Sequence, residues 1–540
     1  MMRFPLTLVH MLERMGRIFP ETEVASRRPD RSIARCRYGD VYRRARALAA
    51  ALTGAGLQRG DRVATLMWNH AVHLECYFGV PTAGGVLHTL NLRLDPRDIA
   101  YIANHARDRF LIVDAALLPL LDEFRDDAPF ERVFVVGDGG DQPAGSDEDY
   151  ERFVAGAPDG FDYPEIGENE AAGICYSSGT TGRPKGVAYS HRTLALHSLG
   201  ACMPDSLGFS MRDVVCPVVP MFHVNAWGIP FAAALAGAKQ VFPGPHLDGE
   251  SLLDLFAEEQ VTMSAGVPTL WFNLVEAWRR HPGRWRLHPD LRVHVGGAPC
   301  PVSLMRDFDD MGIHLIHAWG MTETTPIGSV CMIKPSLDDL PEDRRYALRT
   351  RAGLPVAFVE ARVIGDDGEA PWDDETMGEL QVRGPWIAAS YIDQPDSGDR
   401  WTEDGWFRTG DVATIDAAGY IKICDRTKDL VKSGGEWISS VDLENAIMGH
   451  AAVKEAAVIA VAHPKWQERP LAAVVLEDGE TLTAEALRAY LAPRFVRWWL
   501  PDAVVFVDAI PRTSTGKFKK AALRERFADW RWDEPTEPGA

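Results

Sequence analysis

Few of the features that mark a secreted, membrane-spanning or nucleic-acid-binding chain occur in this sequence. Its eight cysteines form no CxxC pair, which leaves no disulfide framework or zinc site to read and suits a reducing cytoplasm. No signal peptide is expected. The apolar stretch from Phe4 to Leu12 contains Pro5 and His10 and ends at Glu13–Arg14, while Leu8, Met11, Leu12 and Met15 recur at the spacing of an amphipathic helix. Basic residues are in deficit. Lys and Arg number 57 against 77 Asp and Glu, a formal net charge of -20, which works against non-specific nucleic-acid binding. An anionic small molecule remains admissible, because a few local cations can dominate a pocket. Long apolar runs are also missing. Val214 to Ala238 carries no formal charge, but Pro217, Pro220 and Pro230 interrupt it, and His223 and Asn225 lie inside it. A membrane span needs about 20 predominantly apolar residues. This stretch is therefore expected to be buried strand, loop and helix, and any membrane contact to be peripheral. No internal repeat is present.

The composition is that of a globular protein, 46% hydrophobic and 25% charged. At 540 residues the chain is too long for one compact core. Val41 to Ala55 reads as a helix, while Arg62–Met67, Arg109–Val113 and Arg132–Val136 read as strands and Gly137 to Asp149 as a surface loop. This alternation predicts α/β layers around a largely parallel sheet. Near Asp425 the character changes. Val441–Met448, Ala484–Leu491 and Lys519–Phe527 read as helices, and Val453–Val461, Leu471–Leu476 and Ala503–Val507 as short strands. The expected organisation is a large α/β N-terminal domain over 1–424, a hinge at 425–428 in the polar run Asp425-Arg426-Thr427-Lys428-Asp429, and a small mobile α+β domain over 429–540.

The strongest local signal is SSGTTGRPKG, from Ser177 to Gly186, after a candidate buried strand at Ala172–Tyr176. Glycines let backbone N–H groups approach an oxyanion, hydroxyls add donors and Lys185 adds a point charge, a combination suited to a polyphosphate. It is not a Walker A loop, since Lys185 follows Pro184 and precedes Gly186. The late Gly516-Lys517 also fails that pattern, with Phe518 next and Pro511 at the first glycine position. Two more loops follow apparent strands: Gly296-Gly297-Ala298-Pro299 after Leu291–Val295, and Ala318 to Thr324 after His314–His317. Ligands in α/β sheets sit outside the carboxyl ends of strands. Trp319 offers a flat face for a purine, and Thr322 and Glu323 offer oxygens, Glu323 as a magnesium ligand beside phosphates. Taken alone, Glu323 reads as a solvated loop acid and Lys517 as a solvated lysine beside Lys519 and Lys520.

Taken together, SSGTTGRPKG, MFHVNAW, HAWGMTETTP, GWFRTGD, DRTKDLVKSGGEWIS and PRTSTGKFKK make the chain resemble the adenylate-forming acyl-CoA synthetases. Within that family it looks most like bacterial medium- and long-chain fatty acyl-CoA synthetases. The resemblance runs from about Pro5 to Phe527. It implies attack of a carboxylate on the α-phosphorus of ATP, then displacement of AMP by the thiol of coenzyme A, with magnesium as cofactor. The residues carried over are as follows. Ser177, Ser178, Gly179, Thr180, Thr181, Gly182 and Lys185 match the phosphate loop. Gly296, Gly297, Ala298 and Pro299, with His317, Ala318, Trp319 and Gly320, match the adenine-binding edges. Thr322 matches the α-phosphate contact, Glu323 with Ser177 the magnesium ligands, and Asp411 and Arg426 the ribose contacts, with Lys428 and Lys432 in the nucleotide set. Lys517 matches the catalytic lysine and Lys428 the hinge position, although Lys428 reads equally as a surface charge. Ser433, Gly434, Gly435 and Trp437 match the coenzyme A path. His223, Val224 and Trp227 match the acyl pocket, Trp227 as a gate or as plain core. The resemblance also implies a homodimer through the N-terminal region. A ligase for a short or unusual acid such as methylthiopropionate is one alternative. Another is a fatty acyl-AMP ligase, although no insertion of that class is seen between Gly353 and Tyr391.

Overall fold

The computed structural model describes residues 1–137, 147–158, 160–177, 183–394, 398–433, 436–512 and 517–532. Two large, mainly parallel sheets form the body. One has seven strands in the spatial order Glu148–Asp149, Arg132–Val136, Asp108–Asp114, Arg62–Leu66, Val86–Thr89, Ala171–Tyr176 and Gly186–Ser190. Only its last pair is antiparallel. The other has nine strands, and Val214–Pro217, Lys239–Phe242, Met263–Gly266, Arg292–Val295 and His314–Gly320 form its parallel centre. These central strands are almost entirely buried. That explains why they read as continuous apolar runs rather than alternating ones.

The N-terminal helix Leu8–Ile18 buries Leu8, Met11, Leu12 and Met15, as their spacing predicts. It packs on the helices Tyr38–Gly54, Ala71–Thr82 and Ile229–Ala236. Val214 to Ala238 folds as a buried strand, a short turn and the helix Ile229–Ala236. Among the described residues no helix is long and apolar enough to cross a membrane.

Three expectations need correction. Gly137 to Asp149 is not all loop, because Glu148–Asp149 pairs with Arg132–Val136 as an edge strand. The strand expected at His314–His317 runs on through Gly320, since Ala318 and Trp319 pair with Val330 and Ser329 of the next strand. The third concerns the end of the large domain. It holds a separate five-stranded sheet, Gly368–Glu369, Glu360–Gly365, Gly378–Arg383, Phe407–Ile415 and Ile421–Arg426, which is antiparallel throughout. Two of its connections, 366–367 and 416–420, are too short for the helical crossover that a parallel pair requires, whereas the longer segment 384–406 returns to an antiparallel partner. Asp366 and Asp367 alone, for example, separate the paired Gly365 and Gly368.

The small domain carries the strands Val431–Ser433, Glu436–Ile438, Val453–His463, Gln467–Leu476 and Ala503–Phe506. The helices Ser440–Met448, Ala484–Leu491 and Lys520–Arg526 belong to it as well. The architecture is a large N-terminal α/β domain with a smaller α+β domain, as the sequence predicts.

Candidate active site

The loop rich in Gly, Ser and Thr closes an antiparallel hairpin between Ala171–Tyr176 and Gly186–Ser190, not a strand-to-helix turn. At its base the Ser177 N–H donates to the Lys185 carbonyl at 2.9 Å, and the Lys185 N–H donates to Ser177 Oγ at 3.3 Å. Ser178, Gly179, Thr180, Thr181 and Gly182 lie outside the described residues, as do Gly434 and Gly435.

The ends of the strands Arg292–Val295 and His314–Gly320 meet directly. A Cβ on Gly296 would stand 2.6 Å from the Ala318 carbonyl oxygen, so glycine permits the contact, and Trp227 Cη2 lies 3.1 Å from the same point. Trp227 belongs to a turn in which Val224, Asn225, Ala226 and Trp227 have φ of 45°, 52°, 49° and 58°. Left-handed backbone costs L-residues about 1–2 kcal/mol each, and such strain gathers at ligand clamps and switch regions. Gly228, at φ 68°, ends the turn. His223 precedes it, and burial, with smaller contributions from Lys517 and Arg93, lowers its imidazole pKa to about 3.

Trp319 covers Gly328, where a Cβ would be 2.3 Å from a ring carbon. Its indole Nε1 donates to Asp411 Oδ2 at 2.8 Å. Asp411 faces Arg426 across the strand pair Phe407–Ile415 and Ile421–Arg426, and Arg426 Nε lies 2.5 Å from Asp411 Oδ1. Asp411 is therefore a buried carboxylate with a donor on each oxygen. His317 Nδ1 donates to the carbonyls of Thr350 and Arg351, each at 2.8 Å.

Glu323 sits in the 3₁₀ turn Thr322–Thr324 and is only 5% exposed, which overturns its reading as a solvated loop acid. Tyr391 Oη donates to Glu323 Oε1 at 2.6 Å, and the Ala388 N–H holds the Glu323 carbonyl at 2.7 Å. Tyr189 Oη donates to the Thr322 carbonyl at 2.8 Å. Lys185 Nζ lies 4.8 Å from the centroid of the Tyr391 ring, so the lysine of the glycine-rich loop and Glu323 meet at one tyrosine. Arg400 comes beside the Tyr391 hydroxyl, with Nη1 3.3 Å from where a Cβ on Gly410 would stand. Neither Tyr391 nor Arg400 was singled out by motif. A tyrosine 68 residues beyond the carboxylate it serves gives no local signal.

From the small domain, Lys517 reaches the same place. Its Cε lies 3.5 Å from where a Cβ on Gly297 would stand. Desolvation, reinforced by Arg426 and Lys428 and opposed by Asp411 and Glu323, lowers the Lys517 amine pKa to about 8. A lysine poised between cations and carboxylates suits a site that receives phosphates.

The pattern of the AMP-binding enzyme family matches residues 18–392, and that of the AMP-binding enzyme C-terminal domain matches residues 442–517. The chain belongs to the AMP-binding enzyme family. It is 48% identical over 533 residues to a long-chain-fatty-acid–CoA ligase of Thermus thermophilus, covering 98% of this chain and 97% of that one. It is 45% identical over 538 residues to a 3-methylmercaptopropionyl-CoA ligase of Ruegeria pomeroyi, covering 98% of each. Among solved structures it superposes on ATP-bound MatB from Rhodopseudomonas palustris with a TM-score of 0.82 at 28% identity, over 97% of this chain and 99% of that one.

In this AMP-binding enzyme, then, the fold gathers Lys185, Glu323, Trp319, Asp411, Arg426 and Lys517 near the Gly296–Gly297 turn, with Trp227 packed against Gly296. Ala298 and Pro299 continue that turn, half-buried and exposed respectively. Two of the expected residues are engaged elsewhere, whereas Lys428 lies within electrostatic reach of Lys517. Ser433 Oγ accepts from Arg469 Nη1 at 2.8 Å, and Lys432 Nζ lies over the exposed Trp437 ring at 4.7 Å. Lys428 is exposed, between Arg426 and an Asp429 that is paired with Arg524 at 2.6 Å.

Proposed function

We propose that this enzyme is an AMP-forming acyl-CoA synthetase that activates a medium- or long-chain fatty acid through its acyl-adenylate and passes the acyl group to coenzyme A. The observation that carries the reading is the convergence of Lys517, Glu323 and Asp411 at the Gly296–Gly297 turn, with the apolar Trp227 packed against Gly296. Asp411 and Arg426 receive the ribose, a carboxylate suiting two adjacent hydroxyls as a double acceptor. Trp319, His317–Gly320 and Gly296–Pro299 border the adenine. Thr322, Lys185 and the loop from Ser177 to Gly182 face the phosphates. As the carboxylate adds to the α-phosphorus, negative charge grows on the phosphoryl oxygens, and the Lys517 ammonium stabilises that charge selectively in the transition state.

Magnesium fits this donor set. One buried carboxylate, Glu323, oriented by Tyr391, is what a hard cation needs when substrate phosphates complete its shell. Glu323, with Ser177 from the phosphate loop, would hold it, and the chemistry it would supply is neutralisation of the leaving pyrophosphate.

The proposed division of labour sets residues 1–424 against 429–540 about a hinge at 425–428, with Lys428 absorbing the backbone change. Rotation withdraws Lys517 and brings Ser433, Gly434, Gly435 and Trp437 to the thiol path. Lys428 and Lys432 complete the nucleotide set in one arrangement or the other. The enzyme is further proposed to be a cytoplasmic homodimer joined through its N-terminal region.

The likeness to the Ruegeria enzyme supports a second reading, a short acid such as 3-methylmercaptopropionate. The deciding experiment is a coupled AMP-release assay over acids of graded chain length, with and without coenzyme A. Rates rising with chain length and absolute dependence on coenzyme A support the proposal. A maximum at short acids favours the second reading, and AMP or adenylate release without coenzyme A dependence would falsify both.

A further inference from the structure

The geometry points to Arg512 as a positioning residue: its hydrogen bond to Thr269 latches the small domain in the arrangement that presents Lys517 to the nucleotide site. The inference rests on the reading of Lys517 given above. Arg512 and Phe518 are paired as an antiparallel bridge. The Lys519 N–H donates to the Pro511 carbonyl at 2.7 Å. Arg512 lies over the Phe518 ring at 4.8 Å. Lys517, the residue before Phe518, is thus fixed at one end of this pairing.

The guanidinium then works in two directions. Nη2 lies 2.5 Å from Glu455 Oε1 on the small-domain strand Val453–His463. Nη1 donates 2.8 Å to Thr269 Oγ1, in the first turn of the large-domain helix Pro268–Arg280. Thr269 lies two residues beyond Val267, whose Cγ1 approaches Gly297 within 0.1 Å of the distance at which Lys517 Cε does, 3.4 against 3.5 Å from its Cβ position. Latch and lysine therefore land on the same stretch of the large domain. The Glu455 contact lies within the small domain and travels with it, whereas the Thr269 contact spans the two domains and is lost when the small domain turns. The guanidinium holds the two partners on two separate nitrogens in fixed directions, a geometry that the single ammonium nitrogen of a lysine does not reproduce.

The test uses the full-length enzyme with Thr269→Val, Arg512→Lys, the double variant and Lys517→Ala. Two reactions are measured: acid-dependent ATP–pyrophosphate exchange, and thioester formation from synthetic acyl-adenylate and coenzyme A. Losing one hydrogen bond to a charged group should slow exchange about tenfold or more. Thioester formation should be unchanged or faster, because removing a latch shifts population toward the other arrangement. The double variant should be no slower than the slower single one, since both remove the same contact. Thr269→Val, whose altered side chain belongs to the large domain, keeps the test independent of small-domain folding. If Thr269→Val leaves exchange intact, slows both reactions alike, or adds to Arg512→Lys, the latch is overturned while a selective Lys517→Ala leaves the reading of Lys517 standing. If Lys517→Ala slows both reactions equally, that reading fails and the latch falls with it.

Discussion

On the large-domain side of the site, the acids are held by their own domain. Asp411 has Trp319 and Arg426 on its two oxygens, Glu323 has Tyr391, and the turn carrying Glu323 is pinned by Tyr189 and Ala388. On the small-domain side, Lys517 belongs to a segment whose firm anchors lie within the small domain. Lys520 is buried against Glu444 at 2.7 Å and Ser440 at 2.5 Å, and Arg512 pairs with Glu455. Toward the large domain, Arg512 donates to Thr269 and Lys517 approaches Gly297. The contrast teaches which parts are built to stay and which to leave. On the proposed division of labour, groups needed while any adenylate is bound belong to the large domain, and the group needed for one step rides on a unit that can be withdrawn without disturbing its own fold.

The largest test of that contrast is Lys517→Ala. Losing one preorganised charge-stabilising donor is worth about 10²–10³ in rate, and the loss should fall on ATP–pyrophosphate exchange while thioester formation from ready-made acyl-adenylate is largely spared. Equal losses in both would erase the distinction between the two sides. Asp411→Asn should behave oppositely. It keeps the shape but removes a charge proposed to receive the ribose in both steps, so exchange and thioester formation should each fall about 10- to 150-fold in kcat/KM, in line with hydrogen bonds to charged groups at roughly 1.5–3 kcal/mol. A selective effect of Asp411→Asn would move it to the side of Lys517. Smaller again is Tyr391→Phe, which removes the hydroxyl that orients Glu323. Exchange should slow about fivefold to tenfold, while the melting temperature should change little. A large drop in melting temperature would recast Tyr391 as a core residue.

Much of this was legible beforehand, though unevenly. Glu323, Asp411 and Lys517 were legible through motifs shared with the adenylate-forming family rather than through their residue types, and the helix at Leu8–Ile18 follows from spacing alone. The burial of Glu323 was not legible, because Tyr391 and Ala388, which enclose it, come from another part of the chain. The antiparallel sheet from Glu360 to Arg426 was hidden for a related reason. Short strands look alike until their pairing is seen, and connection length forbids a parallel arrangement only at the tight turns 366–367 and 416–420. The left-handed turn at Val224–Trp227 runs against local preference, since none of its four residues is glycine. Nothing in MFHVNAW advertises it. Thr269 and Arg512 are 243 positions apart, and a contact between domains leaves no local pattern.

The smallest effect is also the one that divides the two steps most directly, because it should have opposite signs in them. The Lys517 amine is lowered from 10.5 to about 8, burial being the largest cause. Its charged form is the one that stabilises the phosphoryl oxygens, so activity that depends on it is present below pH about 8 and declines above. A single group of that pKa loses about threefold of its protonated fraction between pH 7.5 and 8.5. For exchange, kcat/KM should fall by roughly that factor, since this parameter reports the free enzyme. Thioester formation needs the thiolate of coenzyme A. With an ordinary thiol pKa of about 8.5, it should rise over the same interval. Lys517→Arg supplies the control: its guanidinium stays charged, so the falling limb of exchange should flatten even if the rate is lower throughout. For stability the sign is separate. An unfolded chain holds the Lys517 proton up to about 10.5 while the folded one releases it near 8, so this residue favours folding increasingly as pH rises through that window. Inactivation by unfolding at Lys517 would therefore predict the wrong direction, and a parallel decline of exchange and thioester formation above pH 8 would show that Lys517 does not set the limb.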